Sequence, residues 1–377
     1  MMQNFDKEQN IGFDHTFPLR LLFGTDRLKT LTANDFPGKK AFVIFSGEDN
    51  IRQAGYREDI KTIFEGLGID MEIFTIPEGN VWPDIEREIL HTGLSGCDFV
   101  TGMGSGRIIN IAKGVAYSKK LPAVVIPTTI DSGTAYNGII IAGNEGKSGT
   151  VISDIAAQPC LTIVDTLFPA TLPHRILALY GVTALSRAVC SCVAAKANVI
   201  SRTHALKSLE ILFENLPKAV RNSNDIEARQ QMSLASVFSG MAFYEAGAMS
   251  DHALALTMCR RAEELPFNVA LAIISEAYLT HFADVCEADF IEISDALSVK
   301  KVSLHIRDKA FQFVKMFSKL LIQSGISNIK MSEYGITQDD INGIAADAVE
   351  LYPGFFNNDP VRMSNDEIVD ILRLSYK

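Results

Sequence analysis

Over its first 170 residues the chain alternates short, fully apolar runs with stretches of helical spacing, and this alternation restricts its fold more than any other feature. Ala41 to Phe45 is apolar throughout and is closed by Ser46 and Gly47. Gln53 to Leu67 then sets Tyr56, Ile60, Ile63, Phe64 and Leu67 at helical spacing, with Gly68 as a stop. Asp70 to Thr75 reads as a strand, Asp84 to Thr92 as a helix and Asp98 to Gly102 as a strand. Ile108 to Ser118 follows as a helix and Pro122 to Ile126 as a fourth strand. Strands that are apolar on both faces need cover on both, and strands joined through helices run parallel. The expected fold class is therefore α/β, with a parallel sheet covered on each side.

Beyond Thr171 the pattern changes to long helical stretches, from Leu177 to Val199, Ala228 to Tyr244 and Val269 to Val285. Asn222 to Asp225 is a loop signal, and the pairs Thr337 with Asp340 and Ser364 with Glu367 are capping arrangements that open helices. A chain of 377 residues exceeds the size at which one core stops growing. Two domains are expected: residues 1–170 as a nucleotide-binding α/β domain and residues 171–377 as an all-helical substrate domain.

At 47% hydrophobic and 21% charged residues the composition is globular. The net charge of −10, without a basic run, argues against a nucleic-acid partner or an anionic membrane surface. Met1 to Glu8 lacks a secretory pattern, and apolar runs such as Leu121 to Ile126 are too short to cross a bilayer. Cys97, Cys160, Cys190, Cys192, Cys259 and Cys286 are scattered and read as reduced thiols, since no second pair completes a zinc set with Cys190 and Cys192. A cytoplasmic location is expected.

Two segments carry candidate chemistry. Thr101 to Lys113 (TGMGSGRIINIAK) follows a strand and opens a helix; its glycines permit a sharp turn, and free amides at a helix start can cradle a pyrophosphate. The spacing is G-x-G-x-G and not the dinucleotide fingerprint, so a purely structural turn is the competing reading. Position at the carboxyl end of a parallel strand favours binding. The next strand ends in Pro127-Thr128-Thr129-Ile130-Asp131-Ser132-Gly133-Thr134, whose hydroxyls suit a phosphate or ribose, or else a self-bonded turn. The candidate cofactor contacts are Gly104, Ser105, Gly106, Thr128, Thr129, Ser132 and Thr134.

In order and spacing these segments, with others along the chain, resemble the group III or iron-containing alcohol dehydrogenase family, a relative of dehydroquinate synthase and glycerol dehydrogenase. Phe23-Gly24 is similar to an early FG, GMGSGRIINIAK to GGGSxxDxAK, and PTTIDSGT to PTTxxTGSE. Lys147 sits in a loop similar to the family's GxK and joins the candidate cofactor contacts. Ile163-Val164-Asp165 with Thr171-Leu172-Pro173 resembles DPxLTxxLP, and Ala228 to Phe243 resembles ARxxMxxASxxAGxAF. Tyr334 to Thr337 and Asn357 to Ile368 resemble the closing segments.

The resemblance implies an N-terminal domain that binds NAD or NADP and a helical domain that holds a divalent metal, Fe or Zn, to polarise the reacting oxygen. Its ligand positions are degenerate here. Thr183 stands in the aspartate position, Arg187 in that of the first histidine, His252 keeps the second, Leu256 replaces a further histidine, and Phe267 stands for the last. A lone imidazole beside a guanidinium does not hold a cation that wants three or four donors, so a metal is doubtful unless a carboxylate such as Asp251 compensates. Arg187, His252 and Thr183 become the candidate catalytic residues. Arg187 would stabilise an oxyanion or anchor an anionic substrate, and His252 would relay a proton. The plainer alternatives are an Arg187–Asp251 ion pair that fills the lost site, and a core histidine. Arg260 and Arg261 read as solvated surface charge.

The first strand ends without an acid at the nearest position, leaving Glu48 or Asp49 for a ribose, and Asn110 replaces an aspartate in the glycine-loop helix, so both NAD and NADP stay open. The resemblance further implies a homo-oligomer, in the simplest case a homodimer. The expected activity is metal-independent hydride transfer between a nicotinamide and a small alcohol or carbonyl compound. The alternatives are a non-catalytic nucleotide-binding member and a dehydroquinate synthase-like cyclase.

Overall fold

The computed structural model of the protein describes residues 13–46, 51–76, 94, 96–142, 150–297 and 306–376. The helix expected over Asp84 to Thr92, the acids Glu48 and Asp49, the start of the chain and Lys147 lie outside these residues.

Six strands form one parallel sheet: β1 (Arg20–Gly24), β2 (Lys40–Ser46), β3 (Asp70–Ile76), β4 (Phe99–Gly104), β5 (Ala123–Pro127) and, numbered after an intervening hairpin, β8 (Leu161–Asp165). The order across the sheet is β1-β8-β5-β4-β2-β3, and every pairing is parallel. The fully apolar runs occupy the middle: β4, β5 and β8 are buried at each position, while the edges β1 and β3 alternate towards solvent. The hairpin is β6 (Ile139–Ala142) with β7 (Thr150–Ser153). Helices α1 (Ile51–Gly66) and α2 (Gly106–Lys119) connect strands.

The glycine segment is more strand than loop. Gly102 and Gly104 lie inside β4, and α2 begins at Gly106. A Cβ on Gly102 would stand 2.4 Å from the Ala112 methyl carbon, and one on Gly104 2.7 Å from Ile108. Glycine here lets α2 press against the sheet.

The helical half comprises α3 (His174–Val193), α4 (Val199–Arg221), α5 (Ile226–Ala246), α6 (Ser250–Arg261), α7 (Phe267–Val285), α8 (Glu287–Leu297), α9 (Ile306–Gln323), α10 (Asp340–Leu351) and α11 (Asn365–Ser375). The single helix expected from Leu177 to Val199 is two helices. The chain leaves α3 at Ala194, and Asn198 caps α4 by accepting the amides of Ile200 and Ser201. Helix α3 is buried almost all round, as an axial helix must be when α4, α5 and α7 surround it. By length and composition it would span a bilayer, which the short runs considered from sequence would not, but most of it lies inside the protein.

Two buried side chains tie distant segments together, Arg229 at the junction of the halves and Asn358 within the helical half. Arg229 donates from Nη1 to the carbonyls of Ala170 and Leu172 at 2.8 and 2.9 Å, fixing α5 to the junction. Asn358 donates to the carbonyls of Ala246 and Ala248, and its own carbonyl accepts the Ala195 amide, so the closing segment pins both helix breaks. Ser364 and Glu367 form the expected capping box on α11; Thr337 and Asp340 instead close the turn leading into α10. The described cysteines are all free.

Candidate active site

Strand order reverses between β2 and β4, because β3 lies outward of β2 on one side while β5 and β8 continue from β4 on the other. The carboxyl ends flanking such a reversal leave a crevice. Here it is lined by Phe45, Ser46, Tyr56, Arg57, Met103, Gly104 and Thr128. Tyr56 and Arg57 were missed from sequence; Arg57 bonds the Ser46 carbonyl and covers the Phe45 ring at 5.4 Å. The only signal was a basic residue in the helix that follows a first apolar strand.

Ser105 caps α2 without a side-chain hydrogen bond, so the helix end is not closed by its own cap. The Asp131 carboxylate stands close by: its Oδ2 would lie 3.6 Å from a Cβ on Gly106. Burial pushes the Asp131 carboxyl up, against the pull of the Thr129 hydroxyl, of Arg187 and of the Gly106 amide. Thr129 donates to Asp131, and the Ser132 hydroxyl is 3.2 Å from that of Thr129. The self-bonded turn thus describes Thr129, Asp131 and Ser132.

The loop is rigid for a reason that sequence did not reveal. Lys113, fully buried, donates from Nζ to the carbonyls of Thr134, Asn137 and Ile139 at 2.6–2.7 Å. Burial drives its ammonium well below the ordinary value. Asn137 bonds the Gly133 and Gly240 carbonyls at 3.0 Å, joining the loop to α5. Asn110 bridges the Gly106 carbonyl and the Ile141 amide, so it holds β6 to α2.

Helix α3 carries Arg187 under this loop. The side chain is 4% exposed and donates from Nη1 to the Asp131 carbonyl at 2.6 Å. It lies flat on Gly133, where a Cβ would stand 2.1 Å from Nη1 and 2.5 Å from Cζ. Its Nε and Nη2 have no partner among the described residues. Burial lowers the guanidinium to about 10, with Asp131 pulling the other way, so it is charged at neutral pH. The expected alternative, an Arg187–Asp251 pair, is not what forms.

Asp251 faces other groups. It accepts from Ser186 Oγ at 2.5 Å and Cys190 Sγ at 3.3 Å on one oxygen, and meets His252 Nδ1 at 2.9 Å on the other. Burial works to raise its carboxyl, but His252, Ser186 and Cys190 outweigh that and hold it below the usual value. An ionised carboxylate only accepts, so Nδ1 carries the proton and Nε2 is the nitrogen left for exchange. The imidazole is 2% exposed, stacked on Phe243 at 5.3 Å and against Phe267 at 5.5 Å. Thr183 spends its hydroxyl on the Leu179 carbonyl one turn back. Arg261 pairs with Asp340 on the surface, away from this chemistry. Asp359, also missed from sequence, accepts the Ser250 amide that opens the helix carrying His252.

The fold and site define a class: a nucleotide-type parallel sheet whose loop after β5 rests on a buried cation of the helical half, which also holds an Asp–His pair. A solved 1,3-propanediol oxidoreductase has this fold, with a TM-score of 0.89 at 21% identity over 97% of this chain and 100% of the other. EutG of Escherichia coli, a probable alcohol dehydrogenase, is 27% identical over 80% of this chain and 79% of its own. Sulfoacetaldehyde reductase of Bilophila wadsworthia is 24% identical over 97% of this chain and 100% of its own. Residues 26–173 match the iron-containing alcohol dehydrogenase family, and residues 177–376 its C-terminal region. The chain belongs to the iron-containing alcohol dehydrogenase family, a family of oxidoreductases.

The metal that the family name implies does not fit the side chains present. Of Thr183, Arg187, His252 and Phe267, one offers a free donor, one is a cation and one is a phenyl ring. Asp251 is spent on His252, Ser186 and Cys190. Among the described residues no group of three or more His, Cys, Asp or Glu side chains is arranged to hold an ion.

Proposed function

We propose that the chain interconverts a small alcohol and a carbonyl compound with NAD or NADP, and that it does so without a catalytic metal. The observation that carries this reading is the buried guanidinium of Arg187 at one metal-ligand position, with His252, held by Asp251, at another. The switch-point crevice and the glycine end of β4 support a dinucleotide: Ser105 makes no side-chain cap on α2, Gly104 and Thr128 line the crevice, and the Gly106 amide that Asp131 accepts is the one a phosphate would take over. A bound nicotinamide supplies or accepts the hydride.

The chain's own residues do the rest. Arg187 sets a fixed positive charge in a dry site, where it favours charge that develops on the reacting oxygen. Asp251 holds His252 with Nδ1 protonated, so that Nε2 gives a proton to that oxygen during reduction and takes it back during oxidation. Phe243 and Phe267 keep water from the imidazole. The location proposed is the cytoplasm, and the assembly a homodimer, with no nucleic acid or membrane as partner.

The test is steady-state reduction of small aldehydes and ketones with NADH and NADPH, with and without EDTA, on protein analysed for metal after incubation with Fe²⁺ and Zn²⁺. Turnover that EDTA leaves unchanged, in protein without stoichiometric metal, supports the reading. Turnover lost with the chelator overturns the metal-free part. The second reading is a non-catalytic nucleotide binder, which one observation favours: the nucleotide-type loops are kept while the metal-ligand positions carry Thr183, Arg187 and Phe267. Turnover of any carbonyl compound removes it. A cyclase that needs zinc for its redox step is disfavoured by the donor set.

A further inference from the structure

Arg187 has its hydrogen-bonding capacity divided unevenly. Nη1 is committed to the Asp131 carbonyl at 2.6 Å. Nε and Nη2 lie along the opposite edge of the guanidinium, side by side, and both are buried without a partner among the described residues. That edge is the fork with which arginine takes a planar or tetrahedral oxyanion through two parallel hydrogen bonds. Donors of a charged group left unpaired inside a protein are costly, so a ligand that supplies two oxygens has a deficit to relieve. The groups that act on this guanidinium are the Asp131 carboxyl and the Tyr136 phenol, and neither is a hydrogen-bond partner of that edge. Asp251 faces His252, Ser186 and Cys190, and Asp131 is bonded by Thr129.

Glycine at position 133 supports the same conclusion. Only a residue without a Cβ leaves room for the guanidinium, because an added carbon would stand 2.1 Å from Nη1, 2.5 Å from Cζ and 2.9 Å from Nε. Gly240 closes the stack on the far side, where a Cβ would stand 2.5 Å from the Gly133 carbonyl oxygen. Backbone thus presses on one face of the guanidinium, and Gly240 backs that backbone, so the cation is held in one plane as bidentate recognition requires.

We propose that the Nε–Nη2 edge of Arg187 is the docking site for an anionic group on the substrate, and that the substrate class is a small carbonyl or hydroxy compound bearing a carboxylate or sulfonate. This rests on the oxidoreductase reading above and narrows it: the cation anchors the substrate as well as replacing a metal ligand. The edge is closed to solvent, so entry of the anion requires the contact between Arg187 and the loop over residues 128–134 to open.

The experiment separates binding from turnover. Malonate, acetate and methanesulfonate, none of them reducible by hydride, are titrated by calorimetry into the protein alone and with NADH, and the unfolding temperature is followed. Arg187→Lys keeps the charge but lacks the fork, and Arg187→Met removes both; circular dichroism checks that each is folded. The expected result is saturable binding that raises the unfolding temperature and weakens 10- to 100-fold in Arg187→Lys, a loss of the size of one or two charge-assisted hydrogen bonds. The comparison of acetate with methanesulfonate identifies which oxyanion fits. A second arm compares kcat/KM for succinate semialdehyde with that for uncharged butanal. The anionic aldehyde is preferred at least 100-fold by the unsubstituted protein, and the preference collapses in Arg187→Lys chiefly through KM. Arg187-dependent anion binding without turnover of any carbonyl keeps this proposal and overturns the oxidoreductase reading. Turnover that favours butanal, with no Arg187-dependent anion binding, overturns this proposal and keeps that reading.

Discussion

Replacing Asp359 by asparagine isolates a single buried titration. The carboxyl accepts the Ser250 amide at 3.0 Å and lies 3.4 Å from the Tyr278 hydroxyl through Oδ1, while Oδ2 has no partner among the described residues. Burial raises it from the ordinary 3.8 to about 7; the Ser250 bonds work against that shift and Asp251 adds to it. Between those two values the folded chain keeps a proton that the unfolded chain has released. Stability from this group is therefore lost as the pH rises, from near 4 until the folded group itself ionises at about 7. Between pH 5 and pH 7 the loss is about 2 kcal/mol. Asparagine retains the accepting oxygen for Ser250 and cannot ionise. Its amide nitrogen, in the place of Oδ2, finds no acceptor and costs about 1 kcal/mol, but equally at every pH. Urea unfolding of both proteins at pH 5, 6, 7 and 8 is expected to show the unsubstituted protein losing about 2 kcal/mol relative to Asp359→Asn between pH 5 and 7. Parallel stability curves would refute the assigned shift, and with it the view that helix α6, which carries His252, starts on a carboxyl that is protonated below neutrality.

Three further outcomes are expected. Lys113→Met leaves the Thr134, Asn137 and Ile139 carbonyls without their shared donor, and thermal unfolding should report a loss of about 3 kcal/mol; NADH binding, measured by fluorescence, should weaken as the loop loosens. Gly133→Ala sets a methyl where the Arg187 guanidinium lies, so it should cost about 1–3 kcal/mol by overpacking and lower kcat/KM at least 10-fold in the steady state. Asp251→Asn removes the charge that keeps His252 Nδ1 protonated; kcat for carbonyl reduction should fall on the order of 100-fold and its pH profile should shift, whereas an unchanged profile would make Asp251 purely structural.

Much of the fold was legible because it follows from local pattern. The runs AFVIF and AVVIP are apolar at every position, and such strands have one stable use, the middle of a covered parallel sheet. The edge strand Arg20–Gly24 and the hairpin of β6 and β7 were not legible, since half-exposed strands lack a continuous apolar run. The break between α3 and α4 was likewise hidden. Apolar spacing continues through Ala194 to Ala197, and the break becomes evident only when Asn198 is seen capping and the closing segment is seen to bond Ala195.

At the site, the residue types along the motifs were determined by sequence alone: a cation and a phenyl ring at two ligand positions, one surviving histidine, and hydroxyls after a strand. Which groups meet was decided only by tertiary structure. Asp251 and Arg187 looked like natural partners by charge, yet the packing of α3 on α6 turns Asp251 towards Ser186 and Cys190, and the close approach at Gly133 turns Arg187 towards a backbone carbonyl. Lys113 and Asp359 show the same division. Nothing in their local sequence marks them as buried, because the cost of burying a charge depends on the acceptors and donors that distant segments bring to it. Pattern follows from hydrophobic periodicity and is local; pairing follows from which desolvated groups are brought within hydrogen-bond reach, and that is a property of the folded chain.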